Sequence, residues 1–593
     1  MPDRPVVGCC WQTQSMRRAS IVSETALTAL REGCRNVFLA PFARDVQVGR
    51  AARLCSLSWL LAGHKTGSTT YMSSTFDTRF DTLAQCIRRH AQQMPGQPAI
   101  VDGADRWDYA GLDAMMDRVA VGLQRDGLGR GDTIAICATM SALYVAIFLG
   151  ALRAGVAVAP LAPGSGAAGL GRMLRDAQAH RVFVDASGDA ALGPVQGDAV
   201  PRMMMATASL HQQPPQLLAW LGAVGSLPQD VAIAREDPFN IIYSSGTTGE
   251  PKGVVQSHGM RWTHIVRGAA YGYGPATTTI VSTPLYSNTT LVVVAPTLAF
   301  GATAVLLPKF DTLSFLQLAH AHRVTHAMLV PVQYQRLMAH AQFARFDLSH
   351  FQVKFSTSAP FGAALKADVL RRWPGALVEF YGMTEGGGTC ILEAHLHPDK
   401  LHTVGRPAQG HDIRLIDDNG VEVRPGQAGE VVGHSAGMMQ GYHGQSEKTR
   451  EAEWFDPSGK RFIRTGDIGR FDSDGFLILF DRKKDMVISG GFNVYPSDLE
   501  AVLQNHPAVG DVAVVGVASE RWGETPVAFV VLREGALMTA DDLLQWANGQ
   551  LGKTQRLSDL RLCDELPRSA IGKILKRELR DQYAHKANQT GAS

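Results

Sequence analysis

Tyr243-Ser244-Ser245-Gly246-Thr247-Thr248-Gly249-Glu250-Pro251-Lys252-Gly253 has too little apolar bulk to form a core and an excess of groups that donate hydrogen bonds. Glycines at 246, 249 and 253 let backbone N–H groups approach an anion closely. Ser244, Ser245, Thr247 and Thr248 add hydroxyl donors, and Lys252 adds a positive charge. The combination suits a loop that grips a polyphosphate. It is not a Walker A loop, which needs Gly-Lys-Ser/Thr entering a helix; here Pro251 precedes the lysine and the apolar pair Val254-Val255 follows. An ordinary polar turn is the competing reading, and the sequence on either side of the loop decides between them.

Outward from the loop, short apolar runs alternate with helical patterns. Thr133–Cys137 and Val156–Ala159 read as strands and Met115–Gln124 as a helix; Ala327–Val330 and Val353–Ser356 repeat the strand pattern, and Ala363–Trp373 the helix. Such alternation predicts βαβ units and a mostly parallel sheet. Beyond Thr403 the texture turns β-rich, with Asp417-Asp-Asn-Gly420 and Asp472-Ser-Asp-Gly475 as hairpin signals. A small terminal unit follows, with helices over Pro496–Asn505 and Ala540–Leu551 and strands over Asp511–Val517 and Val527–Leu532. The expected fold class is α/β: a large N-terminal domain of mostly parallel α/β subdomains plus a β-rich subdomain, then a small α+β C-terminal domain. The junction is placed at the charged run Asp481–Lys484.

A chain of 593 residues, 45% hydrophobic, can bury several cores. Its formal net charge of +2 shows no basic stripe, so no nucleic-acid partner is expected. Eight scattered cysteines show neither metal-ligand spacing nor a compact disulfide framework, which fits a reduced, cytoplasmic setting. The uncharged stretch Ser287–Pro308 is long enough to span a membrane, but Pro296 and Gly301 interrupt it, so it reads as a buried helix and a strand rather than a span. His395, His397 and His402 lack acids or cysteines at ligand spacing and read as a solvated loop. Residues 1–71 differ in kind: nine Lys/Arg stand against four Asp/Glu, with half of the cysteines. They are expected to be a non-core extension, or to precede a physiological start near Met72, leaving 72–480 as the large domain and 481–593 as the small one.

Four further stretches accompany the loop: Tyr381-Gly-Met-Thr-Glu385, Thr465-Gly-Asp467, Asp481-Arg-Lys-Lys484 running on through Ser489-Gly-Gly491 to Glu500, and Pro567-Arg-Ser-Ala-Ile-Gly-Lys573. Together, and in this order, they resemble the adenylate-forming superfamily of acyl-CoA synthetases, 4-coumarate–CoA ligases, luciferase and peptide-synthetase adenylation domains, from about Phe76 to Leu579. The resemblance implies ATP and Mg2+ as requirements and CoA as co-substrate. It makes Lys573 the lysine that bridges carboxylate and α-phosphate, gives Thr384 the α-phosphate and Glu385 the metal. Tyr381 and the Ser358-Ala359-Pro360 backbone flank the adenine, and Asp467 and Arg482 take the ribose. The loop Ser244, Ser245, Gly246, Thr247, Thr248, Gly249 and Lys252 holds phosphates. Lys484 becomes a hinge about which a mobile small domain swings, bringing Ser489, Gly490 and Gly491 to a CoA channel. The Gly-Lys turn at Lys573 is also similar to acetylation sites of bacterial relatives, so a protein acetyltransferase is a further expected partner.

Within the superfamily, Pro284-Leu-Tyr-Ser-Asn-Thr-Thr290 carries no acid to pair with an amino acid's ammonium, and no carrier-serine motif follows residue 579. The acid pocket is expected at Tyr286, Ser287, Val330, Pro331, Gly382, Met383 and Gly386–Gly388, the three glycines implying space at one wall. An apolar acid follows: a fatty acid first, an aryl or arylpropenoic acid next. Transfer to a carrier protein instead of CoA and a non-catalytic nucleotide-binding paralogue stay open as alternatives.

Overall fold

Parallel strands covered on both faces must be near-continuously apolar. Thr133–Cys137, Ala157–Pro160 and His326–Leu329 meet that requirement and are buried at every residue. The computed structural model describes residues 78–193, 200–206, 213–244, 252–489, 492–553, 555–569 and 572–590, and places these strands in two large sheets. The first is nine-stranded: from Ala376–Gly382 through Val353–Ser356, His326–Leu329, Thr278–Val281 and Thr303–Leu306 to Pro98–Asp102 the strands run parallel. Antiparallel strands close both of its edges. The second has seven strands, with Pro238–Ser244 between parallel Ala157–Pro160 and antiparallel Lys252–Ser257.

Helices between the sheets share one core with both. Ala142–Arg153 is buried at nearly every position, and Ser141 caps it by accepting from the Tyr144 N–H. Asn288–Ala299 continues through Pro296, the position expected to break it, and stops where Gly301 takes a φ of +77°. A Cβ on Gly301 would lie 2.3 Å from the Met94 methyl group, the movable end of a flexible side chain, so the backbone conformation is what demands glycine there. The following strand, Thr303–Leu306, confirms the expected helix-then-strand order, and no helix among the described residues is long and apolar enough to cross a membrane.

A five-stranded antiparallel sheet follows, built on Arg461–Phe471. The C-terminal domain has a sheet and core of its own: Val509–Ser519 pairs with Gly523–Leu532, and helices Pro496–Gln504 and Ala540–Gln550 pack on it. The run Asp481–Lys484 is not a free linker. Asp481 and Arg482 end the strand Leu477–Arg482, paired with Ile468 and Asp467, because the hairpin at Asp472–Gly475 sets that register.

Candidate active site

The glycine-rich loop spans a hairpin, with Ser244 opposite Lys252 in register. That geometry agrees with the sequence argument against a strand-to-helix phosphate loop. Ser245, Gly246, Thr247, Thr248 and Gly249 lie outside the described residues, as does the Ser244 side chain. At the loop's far foot the Lys252 ammonium sits 4.9 Å above the Tyr442 ring. The Tyr442 hydroxyl donates to Glu385 Oε1 at 2.9 Å, so strand pairing of Gly441–Tyr442 with Val254 and Val255 joins the lysine to the acid.

Glu385 is 9% exposed and follows the strand Ala376–Gly382 in a turn. The turn rests on a buried polar network that sequence reading missed. Gln256 Nε2 donates to the Thr384 carbonyl at 2.7 Å; Arg261, 1% exposed, donates to the side-chain oxygens of Asn240, Asn288 and Gln256. Burial pulls the Arg261 pKa down to about 9, and neutral amides and the Phe239 ring, 5.7 Å away, hold its charge. Gln256 and Arg261 belong to adjacent elements, strand Lys252–Ser257 and helix His258–Gly268, so the Thr384–Glu385 turn is tied to the foot of the loop.

Across the cleft, antiparallel pairing sets Asp467 opposite Arg482, and the Arg482 Nε lies 3.2 Å from Asp467 Oδ1. The Tyr381 hydroxyl donates to Asp467 Oδ2 at 2.8 Å, and burial, then that carboxylate, pushes the phenol pKa well up. Thr289 and Ser358 hydroxyls share a 2.6 Å hydrogen bond, and Ser358 is held at φ +80°, a strained value for a residue with a Cβ.

Lys573 reaches the same cleft from the C-terminal domain. Its N–H donates to Ser569 Oγ and its carbonyl accepts from the Ser569 N–H, closing the turn that presents the side chain. The turn docks through Gly572, at φ +75°: a Cβ there would lie 2.7 Å from Val332 Cγ1 and 3.3 Å from Val330 Cγ2. Burial, then the positive charges of Arg482 and Lys484, lower the Lys573 pKa to about 8.

Lys252, Thr384, Glu385, Arg482, Lys484 and Lys573 line one cavity of about 2420 Å³. Tyr286, Ser287, Ser358, Gly382, Met383 and Gly386 line it too. Val330 does not: it is 2% exposed and lies under the Lys573 turn. The glycine triplet is likewise corrected. A Cβ on Gly387 would meet Ile463 Cβ at 2.5 Å and one on Gly388 Ile413 Cδ1 at 2.3 Å, so these glycines admit the neighbouring sheet and do not widen an acid pocket. Ser489 ends a short strand opposite Gly523, while Gly490 and Gly491 lie outside the described residues. His395 meets the Leu377 carbonyl and His397 packs edge-on against Phe476.

Sequence reading also missed one wall of the cleft: His264 and Arg267 on helix His258–Gly268, with Tyr271, Phe380 and His411. The i, i+3 spacing of His264 and Arg267, on a helix entered directly from the loop hairpin, is the signal that could have found them.

The profile of the AMP-binding enzyme family matches residues 87–443, and that of the AMP-binding enzyme C-terminal domain matches 498–573. Feruloyl-CoA synthase from Amycolatopsis sp is 32% identical over 501 residues, covering 84% of this chain and 98% of that protein. Indoleacetate–CoA ligase from Aromatoleum aromaticum is 31% identical, covering 85% and 98%. ATP-bound MatB from Rhodopseudomonas palustris superposes with a TM-score of 0.75 at 30% identity, covering 84% of this chain and 99% of that one. With the loop hairpin, the Thr384–Glu385 turn and Lys573 gathered on one cleft, the chain belongs to the AMP-binding enzyme family, the adenylate-forming superfamily of acyl-CoA synthetases and ligases.

Proposed function

We propose that this enzyme is an ATP-dependent ligase that joins an aryl-sized apolar acid to CoA through an acyl-adenylate. The observation that carries the reading is Lys573, brought from the second domain to a cleft shared with Arg482, Thr384 and Glu385. A thiol cannot displace oxide from a carboxylate. One carboxylate oxygen therefore attacks the α-phosphorus of ATP, the bond to the β-phosphate oxygen breaks, and pyrophosphate leaves; the CoA thiolate then attacks the acyl carbon and AMP departs. The Lys573 ammonium suits the first step, because one cation placed between carboxylate and α-phosphate offsets their repulsion and the charge that builds as they join. Asp467 has acceptor capacity for ribose hydroxyls, and Arg482 beside it keeps the carboxylate oriented.

Glu385 fits a magnesium ligand. Its carboxylate is buried, accepts one hydrogen bond from Tyr442 and is paired with no cation among the described residues. Magnesium takes one or two carboxylates and the nucleotide's own oxygens, and would supply charge neutralisation of pyrophosphate. Acyl transfer to CoA, with Lys484 as the hinge and Ser489–Gly491 as the channel, rests on the family resemblance.

The acid expected first from the sequence was a fatty acid. The wall of Tyr271, Phe380, His264 and Arg267 supports an aryl acid with a polar far end instead, since an extended alkyl chain would set only apolar atoms against the Arg267 guanidinium and the His264 imidazole. The test is pyrophosphate release with ATP and magnesium across acids from acetate and palmitate to benzoate and coumarate, with and without CoA. Turnover of aryl acids only with CoA is expected. Release independent of CoA would favour transfer to a carrier protein, and silence with every acid would overturn the ligase reading.

A further inference from the structure

Arg267 is held in an unusual setting. Its guanidinium stacks on the Phe380 ring at 4.8 Å, faces the cavity, and makes no hydrogen bond or ion pair with any described residue. Other enclosed arginines in the fold are satisfied. Arg153, 9% exposed at its side chain, pairs with Asp113 and Asp117, and Arg261 is ringed by amide oxygens. The titratable groups around Arg267 and His264 are Tyr271, His411 and Arg261, none of them a carboxylate. Glu393, beyond Tyr271, is exposed. His264 Nδ1 is buried with no partner among the described residues, and His411 Nδ1 accepts the Thr389 N–H, which leaves Nε2 as the donor of a neutral ring. Arg267 is partly exposed to the cavity, so an acid filling that space would strip water from a guanidinium that has no anion among the described residues, a loss that a second carboxylate would offset.

The helix sets the distance. Met260 lies against Gly386, where a Cβ would meet its methyl group at 2.7 Å, so this end of the helix adjoins the Thr384–Glu385 turn. Arg267 is seven residues further along, about 10 Å at 1.5 Å per residue. That is the length of a phenylpropenoate with a para substituent, and Phe380 and Met328 add apolar lining to the same cavity.

We propose that Arg267, with His264 beside it, receives a second carboxylate at the far end of the acid, so that the preferred substrate is a dicarboxylic acid with an apolar, aryl-sized body. The inference rests on the ligase reading for the first carboxylate and adds the chemistry of the second. Arg267 then acts on specificity and takes no part in bond making.

The experiment compares cinnamate, 4-hydroxycinnamate and 4-carboxycinnamate in CoA-dependent pyrophosphate release, with the intact enzyme and with Arg267→Met and Arg267→Lys. The expected result is a kcat/KM for 4-carboxycinnamate on the order of tenfold or more above that for cinnamate, as a charged hydrogen-bonded pair would give. The ratio should collapse in Arg267→Met and survive in part in Arg267→Lys. Equal or better use of cinnamate or 4-hydroxycinnamate by the intact enzyme, or the same ratio in Arg267→Met, overturns the proposal and leaves the ligase reading standing. Calorimetric binding of the same acids to the same proteins reads the pocket without turnover. Selective binding of the diacid that Arg267→Met abolishes, with no pyrophosphate release, would support the proposal and overturn the ligase reading; binding without selectivity would overturn the proposal.

Discussion

Lys573 illustrates how one side chain is given its chemistry by neighbours far from it in sequence. Alone, a lysine in a Gly-Lys turn is a solvated cation; docked beside Arg482 and Lys484 its pKa falls to about 8. The proposed bridging role places the whole demand for this lysine in the first half-reaction. Lys573→Ala should therefore lower pyrophosphate formation by about a thousandfold, the scale of removing one pre-placed stabiliser of transition-state charge. Thioester formation from preformed acyl-adenylate should be spared, and equal loss in both assays would remove the residue from its role. Motif reading singles out Lys573, Glu385 and Asp467 because each sits in a local signature. It could not locate Arg267, whose meaning depends on whether a helix face meets a cavity or water, a fact set by residues more than a hundred positions away such as Phe380.

Elements were legible where local pattern and tertiary demand agree. Thr133–Cys137 and Val353–Ser356 form at their expected bounds and are buried at every residue; the second keeps Lys354 inside because its ammonium donates to the Trp373, Pro374 and Gly375 carbonyls. The helix read as Met115–Gln124 begins earlier, at Tyr109, because Asp108 caps it by accepting from the Gly111 N–H and the Tyr109 hydroxyl bonds to the Ala302 carbonyl. The strand read as Val527–Leu532 begins at Gly523, since cross-strand pairing with Val509–Ser519 carries polar Glu524 and Thr525 into the ladder. Least legible were the glycines at 386–388, whose sequence says only that side chains are absent. Their cause is a close crossing: a Cβ on Gly433 would lie 1.6 Å from the Gly387 carbonyl oxygen. Gly433→Ala should cost about 3 kcal/mol or more, since backbone rather than a side-chain tip must yield. The strain would also displace the segment after Glu385. Urea unfolding and adenylation rate measured on the same variant should fall together; a stable, inactive protein would mean that the crossing serves the site alone.

At the scale of the whole molecule, the two domains are joined at the cleft by a turn that docks through Gly572 on Val330 and Val332, and it brings like charges together. The unfolded chain holds the Lys573 proton to a pKa near 10.5 and the folded chain releases it near 8. Folding is therefore opposed by this charge below about pH 8, and the opposition fades as pH rises toward 10.5. Lys573→Met should raise the melting temperature of the ligand-free enzyme at pH 7, with the gain shrinking between pH 8 and 10.5; a gain that is constant with pH would trace to packing instead. The same crowding makes the empty enzyme a sensor of its own cargo. Anions entering between Lys573, Arg482 and Lys484 relieve repulsion as well as making contacts, so heat resistance should follow nucleotide supply, and a cell short of ATP would hold this enzyme in its most perishable form.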